Sequence, residues 1–206
     1  MRRGFAVGQA VSFVTGEGPK LDAISDGETL PEFDEDKLHS HLAPVYETVS
    51  RLSEALENTV TLIGFAGAPW TVATYMVEGG SSRDYQKTRS WAYQNPDGFQ
   101  KLIDLLVDAT ASYLSRQISA GAETVQLFDS WVGCLGPDDY RQFVLPSMRT
   151  IFDSLTPGVP AIHFGAGNPA LLPLMAEAGG TVIGVDWRVP LDDAWRQIGY
   201  DRAVQG

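Results

Sequence analysis

Hydroxyl, aromatic and acidic side chains follow a short apolar run in the first half of the chain. Residues 61–65 are apolar enough to predict a buried strand, and the chain turns at Gly67 before it presents Trp70, Tyr75 and Glu78. Loops that leave the carboxyl ends of parallel strands converge on one rim, where the binding and catalytic groups of α/β proteins collect. The sequence therefore predicts a site in the loop after this strand.

A second predicted strand, residues 124–128, leads into Asp129 and Ser130. A serine in a turn and a half-buried tyrosine at the mouth of a barrel are both common structural residues. On the residues alone, the structural interpretation is favoured. Aspartates at strand ends often accept hydrogen bonds from neighbouring loop amides, so we expect Asp129 and Asp186 to be structural.

Predicted strands and helices alternate along the chain, which is the pattern of parallel α/β folds. The predicted strands are a short one within residues 5–14, then residues 61–65, 124–128, 160–164 and 181–185, with another opening at Ala203. The first of the main strands, residues 61–65, is expected to be buried on both faces. The predicted helices are residues 36–58, 96–120, 137–152 with a kink at Pro146, one opening at Pro169 after an Asn168 cap, and 191–198.

The choice of fold lies between a doubly wound sheet and a barrel. A doubly wound nucleotide-binding fold would place a glycine fingerprint directly after its first strand, and GAPW at residues 67–70 lacks that spacing. We therefore predict a (β/α)8 TIM barrel. Eight units need about 250 residues, so we expect residues 1–206 to form a single, partial barrel domain in which strands at both ends are missing.

The composition limits the partners and the compartment. The chain has 15 basic and 26 acidic residues, a formal charge of -11, which disfavours nucleic acid or an anionic membrane as the main partner. The single cysteine, Cys134, allows no internal disulfide and fits a reducing compartment, so a cytoplasmic location is expected. No apolar run approaches the about 20 residues that span a bilayer. The opening MRRGFAV has too short an apolar run for an export signal.

Three basic residues, Arg83, Lys87 and Arg89, follow the first predicted site segment. They are either solvated surface charges or a local patch that attracts an acidic ligand. The solvated interpretation is favoured, because isolated basic residues are common on protein surfaces.

Five segments, spread from residue 16 to residue 192, carry a family pattern. They are GEGPKLD at residues 16–22, IGFAGAPWTVATYMVEGG at 63–80, QLFDSWVGCLGPDDY at 126–140, IHFGAG at 162–167 and GVDWRVPLD at 184–192. Together they closely resemble the uroporphyrinogen decarboxylase family, and the resemblance covers essentially the whole chain.

The resemblance implies a (β/α)8 barrel that acts as a homodimer without a metal or other cofactor. It implies a carboxy-lyase of heme and tetrapyrrole biosynthesis, which converts the four acetate side chains of uroporphyrinogen to methyl groups and so forms coproporphyrinogen. Tyr75 in TYMVEGG and Ser130 in FDSWVG match the family's substrate-contacting tyrosine and serine. These two residues are the predicted substrate-binding residues.

Other parts of the family pattern have no counterpart in the 206 residues. The arginine-containing motif RQAGRYLPE is absent, as are the segment ending in FSD, whose aspartate faces the pyrrole nitrogens, and the histidine of the GHG loop. Decarboxylation of a pyrrole acetate requires protonation of the ring carbon and a carboxylate that stabilises the developing cation. We therefore assign no catalytic residue, and we expect this chain by itself not to catalyse the reaction.

Two other classes of function are considered. A related methyltransferase would bind zinc through a His-x-Cys pair and a further cysteine. Here His163 is far in sequence from Cys134, and the pair His39 and His41 points to different faces of a predicted helix. No metal site is therefore predicted. The second alternative is a non-catalytic fragment or a binding-only remnant of the barrel, which the absent motifs favour.

Overall fold

The computed structural model describes residues 3–4, 10–14, 18–26, 30, 32–57, 59–80 and 82–206. It begins with an antiparallel sheet of three strands, β1 (Arg3–Gly4), β2 (Ala10–Val14) and β3 (Gly18–Leu21). The strand predicted within residues 5–14 is confirmed as β2, and residues 5–9 lie outside the described residues. The amide of Leu21 donates a hydrogen bond to the carbonyl of Gly79 (3.0 Å), which ties this sheet to the segment predicted to carry the site.

A parallel sheet forms the centre of the described structure. Its five strands are β4 (Ile63–Gly67), β5 (Thr124–Asp129), β6 (Ala161–Gly165), β7 (Val182–Gly184) and β8 (Ala203–Gln205), and they pair in chain order. Chain order is what a barrel requires, whereas a doubly wound sheet reverses its order at a switch point. The strands therefore form an arc of a (β/α)8 barrel, and the prediction of a partial barrel is confirmed.

The helices of the described residues largely follow the predicted ones. They are α1 (Glu35–Ala55), α2 (Pro69–Glu78), α3 (Gln86–Gln94), α4 (Pro96–Ser119), α5 (Pro137–Phe143), α6 (Leu145–Ser154), α7 (Leu172–Ala178) and α8 (Leu191–Ile198). Short 3-10 turns at Val132–Cys134 and Pro169–Leu171 follow β5 and β6. The predicted helix over 137–152 is divided at Val144, with Pro146 in the first turn of α6. Nowhere in the described part of the chain is a helix both long and apolar enough to cross a bilayer.

Helix α2 occupies the segment that the sequence predicts to be a loop. Pro69 lies in its first turn, and Gly79, with φ of 77°, ends it in the left-handed conformation. Seven of its ten residues are buried, so it has no polar face and no amphipathic period by which the sequence could reveal it. Tyr75 is therefore presented by the second turn of a helix and not by a loop.

Helix α3 also lacks a sequence signal, because most of its residues are polar. Of the three basic residues in this region, Arg83 and Lys87 are exposed, as the solvated interpretation expects. Arg89 departs from it, because its Nε atom is buried.

Strand β4 is buried on one face only, so the expectation that the first main strand is buried on both faces is wrong. Its Ala66 faces the helices and is 6% exposed, but Ile63 and Phe65 on the opposite face are 41% and 58% exposed. Gln117 of α4 bonds both the amide (3.1 Å) and the carbonyl (3.0 Å) of Phe65, so the backbone of this strand is satisfied from the helix side. No described element covers the other face.

Three phenylalanines line this open face, which we call the inner face of the arc. The ring centroids of Phe65 and Phe128 are 6.0 Å apart and those of Phe128 and Phe164 are 5.5 Å apart, both edge to face. The core lies on the opposite face of the sheet, between the strands and helices α2, α4, α6 and α7.

Because the inner face is open, we expect the 206-residue chain to self-associate. Each apolar side chain of this size forgoes about 1.5 to 3 kcal/mol when it is not buried, so chains gain stability by covering each other. Replacing Ile63 and Phe65 together by threonine, which suits a strand but is polar, should shift the chain from oligomer to monomer. Size-exclusion chromatography with light scattering measures this.

The matched control is Tyr200→Thr, because Tyr200 is 70% exposed but lies outside the sheet, in the turn after α8. It should leave the oligomer unchanged. A monodisperse monomer for the unaltered chain would contradict the prediction, since it would show that the inner face is covered in solution.

Candidate functional site

The carboxyl ends of β4 and β5 lie side by side. Gly67 of β4 pairs with Phe128 of β5, and the amide of Ala68 donates a hydrogen bond to the carbonyl of Phe128 (2.9 Å). Helix α2 begins directly after β4, and the turn at Ser130 directly follows β5. The helix and the turn therefore meet at the rim where the sequence predicts a site.

An aromatic stack joins these two segments. The ring of Trp131 lies against the ring of Tyr75, with centroids 3.8 Å apart and planes inclined by 30°. Tyr85 also stacks with Trp131, at 5.2 Å and 29°. Tyr75 is half-buried, and Ser130, next to Trp131 in the chain, is exposed. The structure thus places the two predicted substrate-binding residues in neighbouring segments of one rim.

Trp70 and Glu78, which the sequence also places at the rim, have structural contacts instead. Trp70 is 1% exposed, and its ring packs edge to face against Phe99 at 5.7 Å. Oε1 of Glu78 accepts hydrogen bonds from the amide (3.0 Å) and hydroxyl (3.1 Å) of Thr88, which ties the end of α2 to the first turn of α3. Tyr75, by contrast, stacks on Trp131 of the turn after β5.

Asp186 bonds loop amides, as predicted. Its Oδ2 accepts from the amide of Gly167 (2.8 Å) and its Oδ1 from the amide of Arg188 (2.9 Å). Partial burial acts to raise the pKa of Asp186, but the hydrogen bonds from the Arg188 and Gly167 amides and from the Arg188 guanidinium outweigh it and hold the pKa below its ordinary value. Asp186 therefore joins the loops after β6 and β7.

Asp129 turns into the core and reaches its loop indirectly. It is fully buried, and its Oδ1 accepts from the hydroxyl of Thr71 (2.6 Å), which accepts in turn from the amide of Trp131 (3.2 Å). Burial raises the pKa of Asp129 to about 7, against the lowering effect of hydrogen bonds from Thr71. The expected bond to a loop amide is replaced by this two-step contact, which the sequence does not predict.

The turn after β5 also packs closely against the loop after β6. A Cβ atom on Gly133 would lie 2.3 Å from the carbonyl oxygen of Ala166 and 2.7 Å from Cα of Gly167, so only glycine permits this approach. Nδ2 of Asn168 donates to the carbonyl of Leu135 (2.9 Å), while its Oδ1 caps the next turn as predicted. Both contacts hold the rim together between strands that are distant in sequence.

The imidazole and thiol groups do not form a metal site. Nδ1 of the fully buried His163 faces the carbonyl of Met175 (3.2 Å), Nε2 faces the hydroxyl of Tyr140 (3.4 Å), and burial lowers the pKa of His163 to about 4. Both ring nitrogens of His39 face hydroxyl groups. Burial raises the pKa of the Cys134 thiol. Within the described ranges, no three His, Cys, Asp or Glu side chains lie close enough to share a metal ion.

The buried carboxyl of Asp129 predicts a pH-dependent stability. In the folded chain the Asp129 carboxyl keeps its proton up to about pH 7, whereas in the unfolded chain it loses the proton near pH 3.8. The free energy of unfolding therefore falls as the pH rises between these two values. Asp129→Asn removes the ionisation. The variant should melt at a higher temperature than the unaltered chain at about pH 8. Its advantage in free energy of unfolding should be smaller at about pH 5 by about 2 kcal/mol, which corresponds to about 4 to 8 °C in melting temperature.

Asp186→Asn is the control, because ionisation of Asp186 stabilises the fold whereas ionisation of Asp129 destabilises it. Because the pKa of Asp186 is lowered, its ionised form stabilises the fold above about pH 4. The variant should therefore melt earlier than the unaltered chain by the same amount at both pH values. An effect of Asp129→Asn that is equal at both pH values would show that Asp129 does not titrate in this range.

Comparison with known proteins agrees with the segments identified in the sequence. The family model described as uroporphyrinogen decarboxylase (URO-D) matches residues 4–206. The chain is 45% identical over 202 residues to the uroporphyrinogen decarboxylase of Sorangium cellulosum, covering 97% of this chain and 58% of that protein. It is 52% identical over 163 residues to that of Streptomyces griseus, covering 79% of this chain and 44% of that protein. The chain thus spans about half the length of these curated relatives.

A solved structure, a methyltransferase from Methanosarcina mazei, matches 98% of this chain and 60% of its own chain with a TM-score of 0.81 and 21% identity. This likeness shows the fold alone, and it agrees with the arc of a barrel. The family is shown by the match of the family model over residues 4–206. The chain belongs to the uroporphyrinogen decarboxylase family.

Proposed function

We propose that the protein containing this chain is a carboxy-lyase that converts the four acetate side chains of uroporphyrinogen to methyl groups, giving coproporphyrinogen in heme biosynthesis. The observation that carries the proposal is the match to the family model over residues 4–206. The rim at the ends of β4 and β5 is the proposed substrate site, and Tyr75 and Ser130 are its proposed binding residues.

The chemistry of the rim supports binding of a substrate rich in carboxylates. The phenol of Tyr75 and the hydroxyl of Ser130 each have a proton to donate to a carboxylate oxygen. The ring of Tyr75 is already held against Trp131 at 3.8 Å, so little side-chain freedom is lost when the substrate binds. The formal charge of -11 does not itself attract an anionic substrate, so its carboxylates must be held by local donors such as these hydroxyl groups.

The inner face of the arc supplies the apolar side of the proposed site. Phe65, Phe128 and Phe164 form a row of rings beside the rim. Flat pyrrole rings that contact this row would be removed from water, and aromatic pairs of this kind add stabilisation beyond the area they bury. The carboxylates of the substrate would then extend toward the hydroxyls of Tyr75 and Ser130.

The reaction also needs an acid and a stabilising carboxylate. The ring carbon that carries the acetate must be protonated so that the ring can accept the electron pair released with carbon dioxide. We assign neither role to Tyr75 or Ser130, and no catalytic residue is proposed in this chain. The share of this chain in the reaction is to bind and orient the substrate.

The compartment, the oligomeric state and the lack of a cofactor are part of the same proposal. We infer a cytoplasmic homodimer that needs no metal or other cofactor and binds no nucleic acid. The single cysteine, the engaged ring nitrogens of His39 and His163 and the formal charge of -11 support these inferences. The homodimer is inferred from the family alone, because the inner face is assigned to the substrate.

A binding-only role is the second candidate. The motif RQAGRYLPE and the segment ending in FSD are absent from the 206 residues, so a protein limited to this chain would bind the tetrapyrrole without turning it over. Activity assays on this chain and on a complete protein distinguish the two candidates. The complete protein is this chain extended with the further residues that the Sorangium cellulosum relative carries.

Tyr75→Phe and Ser130→Ala in the complete protein test the proposed binding residues. Each change removes one hydrogen bond to a carboxylate, worth about 1.5 to 3 kcal/mol, so kcat/KM for uroporphyrinogen should fall about tenfold to a hundredfold. The melting temperature should change little, because Ser130 is exposed and Tyr75→Phe retains the stacked ring. Product formation is followed by chromatography.

Tyr200→Phe and Ser119→Ala are the matched controls, since both residues are exposed and lie away from the rim. They should leave the kinetics unchanged. Unaltered kinetics in both Tyr75→Phe and Ser130→Ala would return these residues to structural roles. A complete protein that binds coproporphyrin but does not turn over uroporphyrinogen would favour the binding-only role.

A further inference from the structure

One hydroxyl group links the two segments that carry the candidate site. The amide of Trp131 donates to Oγ1 of Thr71 (3.2 Å), and Oγ1 of Thr71 donates to Oδ1 of Asp129 (2.6 Å). Thr71 is 6% exposed and Asp129 is fully buried, so water does not compete for these bonds. A hydroxyl that accepts one bond and donates the other has a defined orientation. We call this chain of two hydrogen bonds the Thr71 relay.

The relay acts on the face of α2 that carries Tyr75. Thr71 and Tyr75 are four residues apart on the helix and therefore lie on the same face. Trp131 contacts both of them, Thr71 through its backbone amide and Tyr75 through its stacked ring. The turn that carries Ser130 is thus fastened to α2 at two points, one polar and one aromatic.

Asp129 is an unfavourable group to bury. Its Oδ2 has no hydrogen-bond partner among the residues that the structure describes, and burial raises its pKa to about 7. Taking a carboxyl group out of water destabilises a fold unless the group is fully bonded. Buried ionisable groups are common at functional sites, where they lower the stability of the fold but hold other side chains in position.

We propose that Asp129 is a positioning residue, which acts through the hydroxyl of Thr71 to hold the turn at Ser130 and Trp131 against α2 and so sets the separation of Ser130 from Tyr75. The inference rests on the proposed function, because Ser130 and Tyr75 are the residues proposed to bind the substrate. Asp129 itself does not touch substrate, since its side chain lies in the core. The relay needs an acceptor oxygen at this position, so asparagine can replace Asp129 and leucine cannot.

Thr71→Val tests the relay, because valine matches the shape of threonine and lacks the hydroxyl. In the complete protein it should raise KM for uroporphyrinogen about tenfold, with a smaller change in kcat, since binding of the substrate is weakened. Thr71→Ser restores the hydroxyl and should bring KM to within about twofold of the unaltered value. Asp129→Leu should behave like Thr71→Val, and Asp129→Asn like the unaltered protein.

Thr74→Val is the matched control. Thr74 is fully buried on the same helix, but its hydroxyl donates to the carbonyl of Trp70 (2.8 Å) and not to the relay. The change should affect the melting temperature without changing KM. If Thr71→Val changes KM no more than Thr74→Val does, the relay is only structural and the proposal is wrong. If Thr71→Val does not fold, equal KM values for Asp129→Leu and Asp129→Asn overturn the proposal in the same way.

A readout that needs no turnover separates this inference from the proposed function. The stack of Trp131 on Tyr75 contributes to the near-ultraviolet circular dichroism of the complete protein. Thr71→Val should lose much of that contribution, while Thr71→Ser and Thr74→Val retain it. This result in a protein without decarboxylase activity would support the positioning role and overturn only the proposed function. An unchanged spectrum in folded Thr71→Val would overturn the positioning role.

Discussion

The register of β5 against its two neighbours decides which side chains meet at the rim. Gly67 pairs with Phe128, and Asp129 pairs with Gly165. A slip of one residue would exchange the two faces of β5, moving Asp129 to the open inner face and Phe128 into the helix layer. The burial of Asp129, the row of phenylalanine rings and the place of Ser130 in the turn are therefore consequences of one hydrogen-bonding pattern.

The sequence predicts most of the fold, because its main strands are short apolar runs and its long helices carry an apolar stripe. Helix α2 is missed for the opposite reason, since burial on nearly every side leaves it no period. The exposure of Phe65 is also missed. An apolar run shows that a strand suits the interior of a fold, but not whether another element covers both of its faces.

The candidate site is predictable in part. Tyr75 and Ser130 are identified from the motifs that resemble a family, whereas composition and spacing favour structural roles for both. The contacts between their segments are not predictable, because the bonds of Thr71 to Asp129 and Trp131 join residues about 60 positions apart. The signal available in the sequence is a threonine four residues before Tyr75, which places both side chains on one face once α2 is known to be a helix.

We propose that the rim formed by α2 and the turn after β5 binds the carboxylates of a tetrapyrrole. The decisive measurement is a crystal structure of the complete protein with coproporphyrin bound. We expect carboxylate oxygens within about 3.2 Å of the hydroxyl oxygens of Tyr75 and Ser130, with Trp131 still stacked on Tyr75 and the porphyrin rings against Phe65 and Phe128. Coproporphyrin bound at another surface, with both hydroxyls beyond hydrogen-bond distance, would contradict it.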